Sequence, residues 1–201
     1  MLKRLSGIMR NTTAYRLWQA PFAHAKLAPI LLHNDMADGS RVLDVGCGPG
    51  TNCTTFQNCE YMGIDINPEY IEYAKKKFDR RFVVQDVCKF DTADYGRFDF
   101  VLLNSLLHHL DDTETHRILS QLANVMAREG SVHIIELVLP SERGIPRWLA
   151  MNDRGDFARS LESWQKIFEQ HFQSNCFEPF PIKLLGKTLW ELVYFKGTVK
   201  T

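Results

Sequence analysis

The sequence predicts an α/β sandwich around a mainly parallel sheet. Two observations carry that prediction. From about residue 40 onward, segments of strand character alternate with segments of helical spacing, the pattern of strands joined by crossover helices. The run VLDVGCGPG, residues 42–50, is a short apolar strand emptying into a glycine loop, which is how a parallel sheet brings backbone up to a nucleotide-like ligand. At 201 residues the chain is long enough for one domain with a good core, and it reads as a single domain over 1–201.

Taken in order, residues 12–33 carry apolar side chains at helical spacing, broken at Pro21 and Pro29, and predict a helical lead-in within 1–40. Residues 41–45 are a strand and 51–56 a short helix. Residues 61–64 are a strand, followed by a helix over 68–78 with Pro68 near its first position. Strands follow at 81–84 and, strongly apolar, at 98–104. A helix spans 113–127 and stops near Gly130. The next strand, 131–139, is stopped by Pro140, and a short insert occupies 140–162. A helix over 163–172, a strand around 175–180 and a last strand over 189–196 complete the chain. No repeat, low-complexity segment or long linker interrupts this order.

Composition narrows the function classes. The 24 basic and 24 acidic side chains give a formal net charge of +0, which argues against electrostatically driven nucleic-acid binding. The 5 cysteines are scattered without a C-x-x-C, so spacing suggests neither a disulfide framework nor a zinc site. Lys3, Arg4 and Arg10 are not followed by an apolar core of signal-peptide length, and no run is long enough to span a bilayer. The expectation is a cytoplasmic protein without membrane insertion; oligomeric state is left open.

The glycine spacing discriminates between ligands. A dinucleotide loop, G-x-G-x-x-G, would place its third glycine at 51; here 51 is Thr51 and the glycine comes one residue earlier, at Gly50. Asp44, ahead of Gly46 and Gly48, suits a ligand with a cationic end better than a pyrophosphate. Ligands of open α/β sheets sit beyond the carboxyl ends of the strands, and acids recur at those ends. Asp65 closes the second strand in GIDIN and can accept from ribose hydroxyls. Asp86 follows the third in VVQDV and can accept from an adenine amino group, with the Val87 N–H beside it. Each has a plainer use: Asp44 tying its own loop, Asp65 capping the helix at Pro68 (a task for which Asn67 is better placed), Asp86 closing a turn. Three acids in register with the glycine loop favour a shared ligand.

On these residues the stretch from about 40 to 139 resembles the class I S-adenosylmethionine-dependent methyltransferases, and LLNSLLHHLDD, residues 102–112, is similar to the fourth-strand segment of their small-molecule branch. The resemblance implies a Rossmann-like three-layer sandwich with a seven-stranded sheet and an antiparallel last strand. It implies S-adenosylmethionine as cofactor, with Asp44, Gly46, Gly48 and Gly50 as its loop motif, Asp44 orienting the amino-acid end, Gly46, Cys47 and Asn104 touching the methionine part, Asp65 and Ile66 at ribose and adenine, and Asp86 and Val87 at the adenine edge. It further implies methyl transfer to a small-molecule or carrier- or lipid-linked acceptor, oxygen being favoured. The glutamate pair of protein arginine methyltransferases and the Pro-Pro-aromatic or Pro-Cys motifs of base-modifying enzymes are missing after Asn104.

His109 stands where the branch often has a histidine near the methyl group, and a neutral imidazole there could accept a proton from the acceptor. Packing against cofactor or capping the next helix remains the plainer use. Cys47 reads as a small residue beside the cofactor, not a nucleophile, and no metal site is expected. The acceptor side is assigned to the lead-in (Tyr15, Trp18, with Phe22, His24 and Lys26 nearby), to His108, and to Arg147 and Arg154 of the insert. The arginines from Arg143 to Arg159 read better as a solvated surface balanced by Glu142, Asp153, Asp156 and Glu162. Two alternatives stay open: a non-catalytic cofactor-binding subunit of a partner, and a non-methylating enzyme on the same fold.

Overall fold

A computed structural model of the chain describes residues 22–34, 37–153 and 155–200. The elements run α1 (Ala23–His33), β1 (Arg41–Val45), β2 (Glu60–Asp65), α2 (Pro68–Lys77), β3 (Arg81–Val84), α3 (Thr92–Tyr95), β4 (Phe98–Asn104), α4 (Asp112–Val125), β5 (Met126–Leu137), α5 (Ile145–Met151), α6 (Leu161–His171), β6 (Phe172–Leu184) and β7 (Lys187–Val199). Among the described residues the strands form one seven-stranded sheet in the order β3-β2-β1-β4-β5-β7-β6. β1 pairs in parallel with β2 and β4, β2 with β3, and β4 with β5. β7 runs antiparallel to both its neighbours, β5 and β6. The fold class and the antiparallel last strand agree with the expectation. No helix among the described residues is long and apolar enough to cross a membrane.

The central strands β1 and β4 are buried on both faces because each face is covered. Leu43, Val101, Leu103, Val132 and Ile134 face a layer containing α4 and α6, through Leu119, Leu122, Trp164 and Phe168. Val42, Phe100, Leu102 and Ile135 face the other layer, with Ile30 of α1, Ile71 and Ala74 of α2 and Ala150 of α5. Side chains alternate across a strand, so one apolar run serves both cores. Helix starts follow local chemistry: Asn67 accepts from Glu69 N at 2.9 Å with Pro68 next, Asp111 accepts from Glu114 N at 2.9 Å, and Ser160 accepts from Ser163 N at 3.2 Å.

Four boundaries differ from the expectation. Pro29 lies inside α1 and does not end it; losing one N–H is tolerated because Leu27 and Ile30 on the same helix are buried in the core. Pro21 lies outside the described residues. Residues 51–55 form a 3-10 turn instead of an α-helix. α4 ends at Val125, and the chain extends at once into β5, so Gly130 lies within a strand. Its lack of a side chain serves strand packing, since a Cβ there would stand 2.7 Å from the Phe98 carbonyl oxygen. The strand placed around 175–180 is real but longer. It pairs with β7 through a tight turn at Leu185 and Gly186, whose φ of 49° and 79° suit a two-residue hairpin loop.

Trp164 anchors α6 to the sheet. It is fully buried and its Nε1 donates to the Leu137 carbonyl at 2.8 Å. Trp164→Ala should cost about 3–5 kcal/mol in urea unfolding, whereas Trp164→Phe, keeping the ring contact and losing the hydrogen bond, should cost clearly less.

Candidate active site

β2 and β3 lie on one side of β1, while β4 and β5 lie on the other. The crossovers therefore leave in opposite directions, and a crevice opens beyond the carboxyl ends of β1 and β4. The loop after β1 turns there on Gly46, Gly48 and Gly50, all at positive φ (70°, 53° and 80°). Gly50 is doubly constrained: a side chain would be strained by φ and its Cβ would lie 2.7 Å from the Phe82 ring. At Gly48 a Cβ would meet nothing within 4 Å, so that stretch of backbone faces open space.

Asp44 is completely buried beneath this loop. Its Oδ2 accepts from the Tyr61 hydroxyl at 2.6 Å and from Asn52 Nδ2 at 3.0 Å. Its Oδ1 is buried with no hydrogen-bond partner among the described residues. Burial pushes the carboxyl up to about 6, against the two hydrogen bonds. An orphaned acceptor of this kind calls for a donor, and a cationic ligand group or a water held by one supplies it. Asn104 Nδ2 donates to Asn52 Oδ1 at 3.2 Å, tying the end of β4 to the same group.

Asp65 bridges the strand end to the loop. Its Oδ2 accepts from Gly48 N at 2.9 Å and its Oδ1 from Asn67 N at 2.8 Å, leaving each oxygen a second lone pair for a hydroxyl. Asp86 Oδ1 accepts from Cys88 N at 2.9 Å. Both acids line one cavity of about 230 Å³ together with Gly46, Ile66, Val87 and Leu106. Ile66 is 74 % exposed at its lip, an apolar surface suited to a planar ring. The cavity and the orphaned Asp44 oxygen together fit a nucleoside with a cationic tail. Cys47 is buried, its thiol pushed up by burial and by Asp44 and Asp65; it is not a nucleophile.

A second group of charges stands beside Asn104. Ser105, at φ 58°, donates to Asn104 Oδ1 at 3.2 Å and accepts from Lys26 Nζ at 3.2 Å. Glu136 of β5 is fully buried and accepts from Leu106 N at 2.8 Å, Leu107 N at 2.5 Å and His108 Nδ1 at 2.7 Å. His108 Nε2 faces Asp153 Oδ2 at 3.5 Å. Burial disfavours the His108 charge, but Glu136 and Asp153 outweigh it and raise the imidazole to about 9. Burial lowers the Lys26 amine, partly offset by Asp153 and Glu136.

The expected site residues separate accordingly. Gly46, Asp65, Ile66, Asp86 and Val87 meet at one cavity. His108, expected at the acceptor, is 2 % exposed with both ring nitrogens facing carboxylates. Its ring is enclosed between the Glu136 and Asp153 carboxylates, which favour its protonated form. His109 is the exposed member of the pair, its ring 4.2 Å from that of His108. Arg147 donates to the Pro140 carbonyl, and Arg159 pairs with Asp112 at 2.7 Å while donating to Leu110 O at 2.9 Å; these two arginines tie down the insert instead of lying free. Tyr15, Trp18 and Arg154 lie outside the described residues, as does the side chain of His24. Glu136, Asn52 and Tyr61 escaped the sequence reading: each is a single polar residue in an apolar stretch or a loop, and only pairing across the sheet gives it meaning.

The His108 cluster makes stability pH-dependent. A pKa raised in the folded state means the folded protein holds the proton more tightly. Its contribution is complete below the unfolded value of 6.5 and is lost as pH rises through about 9. The melting temperature of the wild type should fall over that window relative to His108→Gln, by the equivalent of about 2–3 kcal/mol, when the two are compared by thermal denaturation from pH 6 to 10.

Residues 42–130 match the family model of a methyltransferase domain. An uncharacterised methyltransferase of Mycobacterium tuberculosis is 30% identical over 118 residues, 54% of this chain and 58% of the relative. The chain therefore spans little more than half the length of that relative. Ubiquinone biosynthesis O-methyltransferase of Rhodopseudomonas palustris is 27% identical over 153 residues, 67% of this chain and 56% of the relative. The N-methyltransferase NodS of Bradyrhizobium japonicum, solved with S-adenosyl-L-homocysteine, superposes with a TM-score of 0.70 at 16% identity, over 100% of this chain and 98% of that one; at that identity the likeness is one of fold. Residues 42–130 thus carry the methyltransferase-domain match, and the strand order and the acids at three strand ends agree with the class I S-adenosylmethionine-dependent methyltransferase fold that the sequence resembles.

Proposed function

We propose that the chain methylates a small-molecule acceptor, with oxygen as the favoured acceptor atom. The observation that carries the cofactor half of this reading is the convergence of Asp65, Ile66, Asp86 and Val87 on one cavity beside the glycine loop and the orphaned Asp44 oxygen. Asp65 holds the ribose hydroxyls, Asp86 and the Val87 N–H hold the adenine edge, and Ile66 covers its face. Asp44 and Asn104, with Asn52 between them, orient the amino-acid end. When bound, S-adenosylmethionine supplies a methyl group already activated by its sulfonium. What remains for the protein is alignment, exclusion of water and removal of the acceptor proton.

For that proton His109 is the candidate acceptor, because His108 beside it is held protonated. Arg147 and Arg154, with Tyr15 and Trp18 of the lead-in, are the residues we assign to the acceptor side. Support for oxygen comes from His109 and from the O-methyltransferase among the relatives; the N-methyltransferase NodS shares the fold alone.

Titration calorimetry with S-adenosylmethionine and with its demethylated product tests the site. Wild type should bind both, and Asp65→Ala should bind at least about tenfold more weakly, given the worth of charge-assisted hydrogen bonds. Wild-type protein that is folded and binds neither would overturn the assignment. The pH dependence adds a sign. Asp44, raised to about 6, becomes neutral as pH falls through that value, so affinity for the cationic cofactor should fall below pH 6, and Asp44→Asn should flatten that fall. Mass spectrometry of candidate acceptors, looking for the gain of one methyl, then decides catalysis against a purely binding role.

A further inference from the structure

Away from the cleft, three metal-ligating side chains from distant parts of the chain converge. His33 lies in the last turn of α1, and Cys176 and Glu178 lie on β6, the edge strand. A ring nitrogen of His33, Sγ of Cys176 and a carboxylate oxygen of Glu178 all lie within 4.8 Å of one another. The two β6 residues alternate along the strand and so share one face.

We propose that His33, Cys176 and Glu178 bind a zinc-type transition-metal dication that fastens α1 to the edge of the sheet. The inference stands apart from the methyl-transfer reading and uses none of its residues.

Four features support it. The donor set is one imidazole nitrogen, one thiolate and one carboxylate, which suits zinc and its neighbours and not magnesium or calcium. Three protein ligands leave a fourth tetrahedral position for water. Ligand atoms on zinc, at about 2.0–2.3 Å from the metal, lie roughly 3.5 Å apart, so rotations of partly exposed side chains suffice to close the site. The His33–Glu178 pair, now 2.6 Å apart, opens by about 1 Å to admit the ion.

The surroundings are built to hold the ligands. The His33 ring stacks on Tyr194, with centroids 5.8 Å apart and planes within 9°. The Tyr194 hydroxyl takes a hydrogen bond from Asn34 Nδ2 at 3.0 Å, fixing the residue after α1 as well. Tyr194 lies opposite Glu178 in the β6–β7 ladder, and Lys196 lies opposite Cys176. The carbonyl end of α1 favours a cation on electrostatic grounds. Binding is proton-linked: as the sulfur–metal bond forms the thiol proton leaves to solvent, and the His33–Glu178 hydrogen bond gives way to two metal bonds. Because α1 also carries Lys26, the metal would fix the helix that delivers that amine to Ser105.

The test uses the full chain, freed of metal and kept reduced. Zinc titration by calorimetry should give about one ion per chain, with release of protons. Cobalt substituted for zinc should give a near-ultraviolet thiolate-to-metal absorption band. Cys176→Ser should abolish that band, and His33→Ala should weaken zinc binding at least about a hundredfold. Cys88→Ser, altering a thiol elsewhere on the molecule, should leave both unchanged. Zinc should raise the melting temperature of wild type and of Cys88→Ser, and not that of Cys176→Ser. No uptake by wild type at stoichiometric zinc overturns the proposal. So does a cobalt band that survives Cys176→Ser, or one lost in Cys88→Ser. Circular dichroism of each variant separates a lost site from a lost fold.

Discussion

A carboxylate sits where a sheet covered on both faces least tolerates one. Glu136 is in β5, an interior strand, and has no exposed surface. Taking such a charge from water costs several kcal/mol unless it is met by donors. Here it is met by two successive backbone N–H groups, of Leu106 and Leu107, and by the His108 ring. Those three donors belong to one turn, so the carboxylate dictates how the chain leaves β4. The turn cannot relax without stranding a buried charge. Its geometry in turn sets Ser105 at φ 58° and places Asn104 against Asn52. Both halves of the crevice therefore depend on a residue that lines neither.

The same turn reaches outward. His108, charged by Glu136, faces Asp153 of the insert, and its carbonyl accepts from Phe157 N at 3.0 Å. A Cβ at Gly155 would lie 2.3 Å from the His108 ring, so only glycine allows the insert to approach this closely. Arg159 completes the attachment through Asp112 and the Leu107 and Leu110 carbonyls. A segment that looks in sequence like a solvated arginine-rich loop is thus bound through its second half to the fourth-strand turn. Two of its arginines, Arg147 and Arg159, are spent on backbone carbonyls and, for Arg159, on Asp112, partners that a local count of arginines against nearby acids does not reveal.

Legibility in the sequence followed the range of the interactions. β1 with its glycine loop, Asp65 before Asn67-Pro68, and the apolar β4 were readable because each is a local arrangement of backbone preference and burial. The mainly parallel sheet followed from the alternation of elements. Helix ends decided by tertiary packing were less readable: Pro29 stays within α1, and α4 gives way to β5 ahead of Gly130 because Met126 is buried and pairs with Phe98. Least readable were the polar residues whose partners are far along the chain. Glu136 and His108 lie 28 residues apart, Lys26 and Ser105 79 apart, and His33 and Glu178 145 apart. No periodicity or motif spacing encodes such pairs.

This contrast bears on how the two ends of the site can change. The end that we propose holds the cofactor is built from residues set within a few positions of one another: a glycine loop, and an acid at the end of each neighbouring strand. A substitution there acts directly on the ligand. The end that we propose receives the acceptor is held by a network in which Lys26 from α1, His108 after β4, Glu136 from β5 and Asp153 from the insert share their charges, with Ser105 hydrogen-bonded to Lys26. Changing one member leaves a buried partner uncompensated, a penalty larger than the contribution of most single contacts to an acceptor. Acceptor preference can then shift most easily at residues that border this network without carrying its charge, such as His109 at the exposed end of the turn. Glu136 and His108 are held in place by the fold itself, whatever acceptor the crevice receives.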